Sequence, residues 1–387
     1  MMAARVPFDP SRAFYAPQFQ IKLKGQKIGR EVIADVTDVT YSDDEVNLDY
    51  FEFTLGDWDP VERRPKYSSP WDDKGQPYKI GDNDAPNFEP GADVELYLSY
   101  MGEGDPVLMM KGDVVSITPS FPAAGAPTCR VRVLNYLYRF QREKVTGPFT
   151  GSKMDIARTI ALKVGAARVE MPPGFDMGPQ TTDMLNNASA YEEIIKRARD
   201  SGLVAWLEDE SDGPVLHFGA PAGDSPVASL TWGRDLISFA PQLSARGAVE
   251  TAVVRGGDPT QAGSAQKIEE KAVWADINVD PLSLGPRGVE SVMKALSGTT
   301  EYVDDAEVRT KEAAKERAKA VLTEIAKELI KATGSAVGMP ELRTGRVIEI
   351  LGLGARFSGL YRLSQTTHTL GASGYSVSFQ AKKLVLK

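Results

Sequence analysis

The chain has 387 residues, 42% hydrophobic and 25% charged, an ordinary balance for folded protein and too long for a single compact core. Its 45 basic and 53 acidic residues leave a net charge of −8, which argues against a nucleic-acid groove built on bulk electrostatics while leaving room for a local basic patch. A lone cysteine, Cys129, excludes an internal disulfide and a cysteine-based zinc site, and no run reaches the roughly 18 apolar residues that read as a transmembrane helix.

The first ten residues, with Arg5, Pro7, Asp9 and Pro10, hold no apolar signal segment, so synthesis and folding in a cytoplasm are expected. Strands are predicted at Phe19–Leu23, Val32–Tyr41 and Leu48–Leu55, with Gly25-Gln26 as a turn. Between Asp59 and Pro90 the prolines at 60, 65, 70, 77, 86 and 90 leave no room for a regular element, so a long inserted loop is predicted, with Trp58 and Trp71 as its anchors. Strands resume at Val94–Leu98 and continue to Tyr138, making 14–145 an antiparallel β-barrel or sandwich. Ser152 is an N-cap, apolar residues follow at 156, 160 and 164, and Gly165 is a stop, so a helix is expected there. Asn187–Gly202 predicts a second helix that leads into a strand at Leu203–Leu207. A further β-stretch runs to about Arg255. Asp304–Ala332 predicts a long helix with Ala318, Val321, Leu322, Ile325 and Leu329 on one face, and a final β-module spans Leu342–Leu386.

One pattern occurs twice. Gly112 overlays Gly359, Gly125 overlays Gly371, and Val131 and Val133 fall on Val377 and Phe379; upstream, Gly91-Ala-Asp-Val-Glu-Leu96 falls on Gly345-Arg-Val-Ile-Glu-Ile350. A module built twice points to a scaffold with internal pseudo-symmetry, although pattern alone does not separate that from two unrelated hairpins.

Chemistry-bearing patterns are sparse. His217 and His368 both lie in strand patterns, where a strand-face histidine is the plainer reading than a ligand or base. Asp43-Asp44-Glu45 and Glu208-Asp209-Glu210 are the acidic pairs that glycan cleavage would use, yet each sits at a strand end beside turn residues. Gly352-Leu353-Gly354 lacks the third glycine of a dinucleotide site. Arg130 and Arg132 alternate with valines on a strand whose polar face meets water, a channel or a subunit. The five tryptophans, at 58, 71, 206, 232 and 274, are too dispersed to mark one binding face. No catalytic, cofactor-binding or metal residue is predicted, and the alternative reading is a carbohydrate-active β-protein using the acidic pairs.

Six segments in order resemble the phage tail hub family known as late control protein D, which is related to the hubs of contractile injection systems and to the hub part of type VI secretion spikes. They are Phe88–Gly91, Met110–Pro122, Asn186–Gly202, Ile237–Leu243 with Val254–Pro259, Pro340–Gly345, and Tyr361–Phe379. The resemblance implies a mainly β fold with α+β insertions: two similar antiparallel β-barrel modules per chain plus helix-containing α/β segments. It places the first barrel at 14–145 with the insertion 59–90, an α/β region at 146–202 and 263–334, and the second barrel at 203–262 and 335–387. It further implies a non-enzymatic homotrimer acting as a symmetry adapter, with a hexameric tail tube above and a separate OB-fold and β-helix spike protein below. The insertion 59–90 would meet other baseplate components. The Arg130/Arg132 and Ser376/Ser378 faces would line the channel, whose DNA or protein cargo stays open. The chain would be synthesised in a bacterial cytoplasm and assembled into the baseplate of a phage tail or injection system, without membrane contact.

Overall fold

The computed structural model describes residues 16–385, apart from positions 73, 82, 103–104, 176, 178–179, 211–212, 220–222, 258–266, 278, 280–283, 285–287 and 306–307. Asp258 and Pro259 of the segment at Val254–Pro259 therefore lie outside the described residues. Half of the structure is strand, so the expected mainly β class with helical insertions is the one the chain has. Two compact units divide it, one comprising Ser11–Gly223 and Thr367–Ser376, the other including Asp224–Thr366 and Val377–Lys387.

The first unit begins with β1 (Pro17–Leu23), β2 (Gln26–Lys27), α1 (Arg30–Asp35), β3 (Val36–Asp44) and β4 (Tyr50–Gly56). It continues with β5 (Lys79–Ile80), β6 (Asn83–Asp84), β7 (Asp93–Tyr100), β8 (Val107–Ser120) and β9 (Thr128–Asn135). The strands pair in the order β1-β7-β8-β9-β4-β3, all antiparallel. Alternation decides which face is core: Phe51, Phe53 and Leu55 of β4, Val94, Leu96 and Leu98 of β7, and Cys129, Val131 and Val133 of β9 are all buried. The start of the predicted strand Val32–Tyr41 is instead the short helix α1, which buries Val32.

The Pro-rich insertion is ordered by carboxylates. Asp57 is fully buried, and one of its oxygens accepts the backbone N–H groups of Lys66, Tyr67 and Ser68 at 3.1, 2.7 and 3.1 Å. Asp59 likewise accepts from Val61 and Glu62, and Asp72 from Lys74 and Gln76. Side-chain acceptors take over the role that a strand ladder cannot play among prolines. The apolar anchors are Tyr67 and Phe88, the latter edge-on to Phe53 at 5.2 Å, whereas the expected anchor Trp71 is exposed.

Beyond β9 come α2 (Tyr138–Gln141), β10 (Lys144–Gly151), α3 (Lys153–Lys163), β11 (Arg168–Glu170), β12 (Thr181–Ser189), α4 (Ala190–Asp200), β13 (Val204–Glu210) and β14 (Gly213–Gly219). Here β10 pairs with β12, and β11-β14-β13 form a separate sheet. Ile156, Ile160, Ile194, Ala198, Leu216 and Phe218 belong to one hydrophobic cluster between these elements. Strand β14 pairs parallel with β11 and antiparallel with β13. Helix α3 starts on a capping box in which the Ser152 hydroxyl accepts from the Asp155 N–H, and the Asp155 carboxylate accepts from the Ser152 N–H.

The second unit contains β15 (Pro226–Thr231), β16 (Leu236–Leu243), β17 (Thr251–Gly257), β18 (Lys267–Val273), α5 (Gly288–Leu296), β19 (Thr300–Asp304) and α6 (Lys311–Lys327). It also holds β20 (Ile330–Val337), β21 (Val347–Leu351), α7 (Gly354–Phe357) and most of the hairpin β22 (Gly359–Gly371) and β23 (Gly374–Lys383). The distal part of that hairpin, 367–376, belongs to the first unit. Helix α6 packs on β17 and β18, which with β19 form a three-stranded sheet. It is shorter than the predicted helix because Ile330 and Ala332 are buried in strand β20, where pairing with β16 outweighs helix propensity.

The module strands pair in the order β15-β21-β22-β23-β20-β16. Taken in chain order, this is the path of β1-β7-β8-β9-β4-β3. Irregularities coincide as well: a bulge lies between Val36 and Asp38 in β3 and another between Leu236 and Ser238 in β16. Gly91 N–H bonds to Val114 O at 2.8 Å and Val114 N–H to Ala92 O at 2.9 Å; Gly345 N–H bonds to Leu363 O at 2.8 Å and Leu363 N–H to Arg346 O at 2.9 Å. Both glycines have positive φ, +91° and +79°. After Val114 a bulge precedes Ser116, and after Leu363 the buried positions of β22 switch from odd to even numbers, beginning at Thr366. Val114 is therefore the counterpart of Leu363, and Gly112 of Tyr361, two residues away from the overlay that the sequence suggested. One pairing differs: β1 runs antiparallel to β7, but β15 runs parallel to β21.

Gly112 is fixed by close approach, since a Cβ there would lie 1.9 Å from the Leu134 carbonyl oxygen. Gly112→Ala is expected to lower stability by about 3 kcal/mol, measured as a shift in urea midpoint at unchanged slope. Ser152→Ala should cost about 1 kcal/mol at pH 7. Because the Ser152 hydroxyl holds the Asp155 carboxyl below its usual range, that stabilisation is present above the ordinary aspartate pKa. The gap between Ser152→Ala and the unaltered chain should therefore narrow as the pH falls through the lower folded value.

Candidate assembly surface

The chemistry-bearing residues named from sequence are each engaged locally. His368 is fully buried, its Nδ1 2.7 Å from the Tyr375 hydroxyl and its ring 5.6 Å from that of Tyr41. His217 stacks on Trp206 with centroids 5.3 Å apart and planes within 10°. Its Nδ1 lies 3.2 Å from Glu170 and its Nε2 3.6 Å from Glu210, and Arg168 bonds both carboxylates. Glu208 instead accepts the indole N–H of Trp206 at 3.1 Å. The acidic stretch 208–210 thus splits between two partners; the Asp209 side chain lies outside the described residues. Asp43 is buried, and Asp44 accepts from Val46 and Asn47 at 2.7 and 3.0 Å, closing the turn between β3 and β4. The Tyr191 hydroxyl of α4 donates to Val46 O in that turn. Among the described residues, no three His, Cys, Asp or Glu side chains gather as a metal site.

Arg130 and Arg132 point away from the core of β9. Arg132 bonds Glu52 at 2.9 Å and lies 4.2 Å from the ring centre of Tyr50. Ser376 and Ser378 take the corresponding outward positions on β23. Trp274 is buried, with its indole N–H on Val249 O, whereas Trp206 and Trp232 are exposed.

The distinctive geometry lies at the strand edges. Within the first unit, strand β3 has β4 on one side and residues 367–371 of β22 on the other. Within the first unit, the Ser42 and Thr367 hydroxyls are 3.3 Å apart, and Tyr375 packs against Tyr100 with centroids at 5.7 Å. Strand β16 has β20 on one side, and among the described residues no strand lies along its other edge, Leu236 alone making an isolated bridge to Trp232. Strand β8 runs on to Ser120, although β7 pairs with it only as far as Asp113. Sequence reading passed over these edges; the available signal was the length of the alternating run Met110–Pro122 beyond its partner.

The family described as Alg8 N-terminal domain matches residues 72–372. The chain belongs to that family. Its fold recurs in a tail protein of Neisseria meningitidis, with a TM-score of 0.61 and 15% identity over 96% of this chain and 98% of that one. The 43 kDa tail protein of prophage MuSo2 from Shewanella oneidensis gives 0.60 at 13% identity, over 95% and 98% of the two chains. Prophage tail protein gp18 of Listeria monocytogenes gives 0.52 at 10% identity, over 95% and 94%. No curated protein matches the chain. This member of the Alg8 N-terminal domain family thus has the fold of phage tail proteins, the group to which its sequence resemblance pointed.

Cys129 is fully buried, and burial, with Asp57 nearby, pushes its thiol up to about 12. Since the thiolate is the reactive form, Cys129 in the native protein at pH 8 should resist a thiol-reactive dye that labels the urea-unfolded chain to completion.

Proposed function

We propose that the chain is a structural tail-hub protein, a homotrimer whose two equivalent β-modules per subunit make a ring of six. The observation that carries this is the repetition of one strand path, β1-β7-β8-β9-β4-β3 and β15-β21-β22-β23-β20-β16, within a single chain. Three copies of a doubled module present six similar surfaces to a sixfold tube while keeping threefold symmetry for a spike, which resolves a mismatch between closed rings. The fold shared with tail proteins supports the reading. The role is mechanical, carried by edges and loops rather than by covalent chemistry, and the particle is a phage tail or a tail-derived injection apparatus. The insertion held by Asp57, Asp59 and Asp72 supplies a stiff contact for a neighbouring baseplate component. Among the described residues no helix is long and apolar enough to cross a membrane.

Light scattering on the purified chain, alone and with a candidate spike protein, tests the proposal. The expected result is a particle of three times the 42.0 kDa chain mass, formed by the chain itself or on adding the spike. A monomer at every concentration that ignores the spike would sink it.

A further inference from the structure

The chain carries a template for how a hairpin extension covers a strand edge. The far part of β22 lies along β3, with Thr367 beside Ser42, the His368 ring against Tyr41, and Leu370 only 6% exposed. The module correspondence supplies each half of this contact a second time. Counting from Val114 and Leu363, the counterparts of Thr366, Thr367, His368 and Leu370 are Ile117, Thr118, Pro119 and Phe121. Counting from the bulges at Val36 and Leu236, the counterparts of Tyr41 and Ser42 are Pro241 and Gln242.

These second halves are open. Beyond Val114, which still bonds Gly91 and Ala92, the β7-side edge of β8 has no strand against it among the described residues, and the outer edge of β16 carries only the bridge from Leu236 to Trp232. Thr118 and Gln242 are exposed, and Phe121 is 58% exposed where its counterpart Leu370 is buried. One extension lacks an edge and one edge lacks an extension. We propose that they meet between copies: the β8–β9 hairpin end of one subunit docks along β16 of the next, as 367–371 docks along β3. The contact is heterologous, so repeating it generates a ring when the rotation closes. This rests on the hub reading above and names the surface through which it closes.

The contact departs from its template at one point. Pro119 and Pro241 stand where the template has His368 and Tyr41, and proline has no N–H to give. The edges between copies therefore meet through a shorter ladder than the one within the chain. That suits edges that must not pair indiscriminately before assembly.

The test is a disulfide between the paired positions in the full-length chain. Thr118→Cys with Gln242→Cys is oxidised and run without reductant, and the same sample is weighed by light scattering; Cys129 is buried and does not interfere. Ser42→Cys with Thr367→Cys, a pair within one unit, is the geometric control. The proposal expects chain-to-chain links in the double variant, up to three chains, and none in either single variant. An assembled particle without those links, while the control closes within the chain, overturns the docking surface and leaves the hub reading intact. A monomer at all concentrations, with or without a spike protein, overturns both. As a second arm, Pro119→His with Pro241→Tyr restores the template residues and should lower the concentration for self-association at least tenfold; an unchanged concentration also counts against the surface.

Discussion

A sheet edge leaves a row of backbone N–H and C=O groups without partners, and covering such edges is the constraint around which this chain is organised. Within the first unit the edge of β3 is closed by residues 367–371, which arrive from the last hairpin of the chain. Tyr41, His368, Tyr375 and Tyr100 form the packing behind that closure. His368 therefore serves as a core residue bonded to Tyr375. Most of the outer edge of β16 and the end of β8 beyond Val114 have no such cover among the described residues.

Bulges and glycines fix the register on which this depends. Each module bends at matching places, and in each a glycine with positive φ opens the strand that pairs with the bulged one. A one-residue slip would turn Val131 and Val133, or Val377 and Phe379, outward, so the burial of one face holds the register from the other direction. The insertions hang on this frame without disturbing it. Each carries its own ordering device: the carboxylate turns of 57–76, the helix pair α3 and α4 over two small sheets, and α6 over β17 and β18.

Fold class, the cap at Ser152 and the Pro-rich insertion were legible in the sequence because each rests on local chemistry: alternation, a hydroxyl acceptor before a helix, and rings that cannot donate. Gly91 and Gly345 were legible for the same reason. The two-residue offset between Gly112 and Tyr361 was not, since a bulge preserves the apolar pattern on either side and hides the count between them. The long helix read from 304 to 332 failed at its end for a different reason. Ile330 and Ala332 suit a helix face as well as a strand face, and only the neighbouring strand decides between them.

Sequence by itself determined that the chain is mainly β with helical insertions, because period-two burial and turn glycines are properties of adjacent residues; that one strand path occurs twice was decided by the pairing. Tertiary structure alone decided that Asp57 is a buried acceptor, that Glu208 and Glu210 part company, that β14 pairs with β11, and which edges are covered. Those outcomes depend on residues distant in the chain meeting in space: Lys66, Tyr67 and Ser68 reaching Asp57, and Thr367 reaching Ser42. No local pattern encodes such meetings.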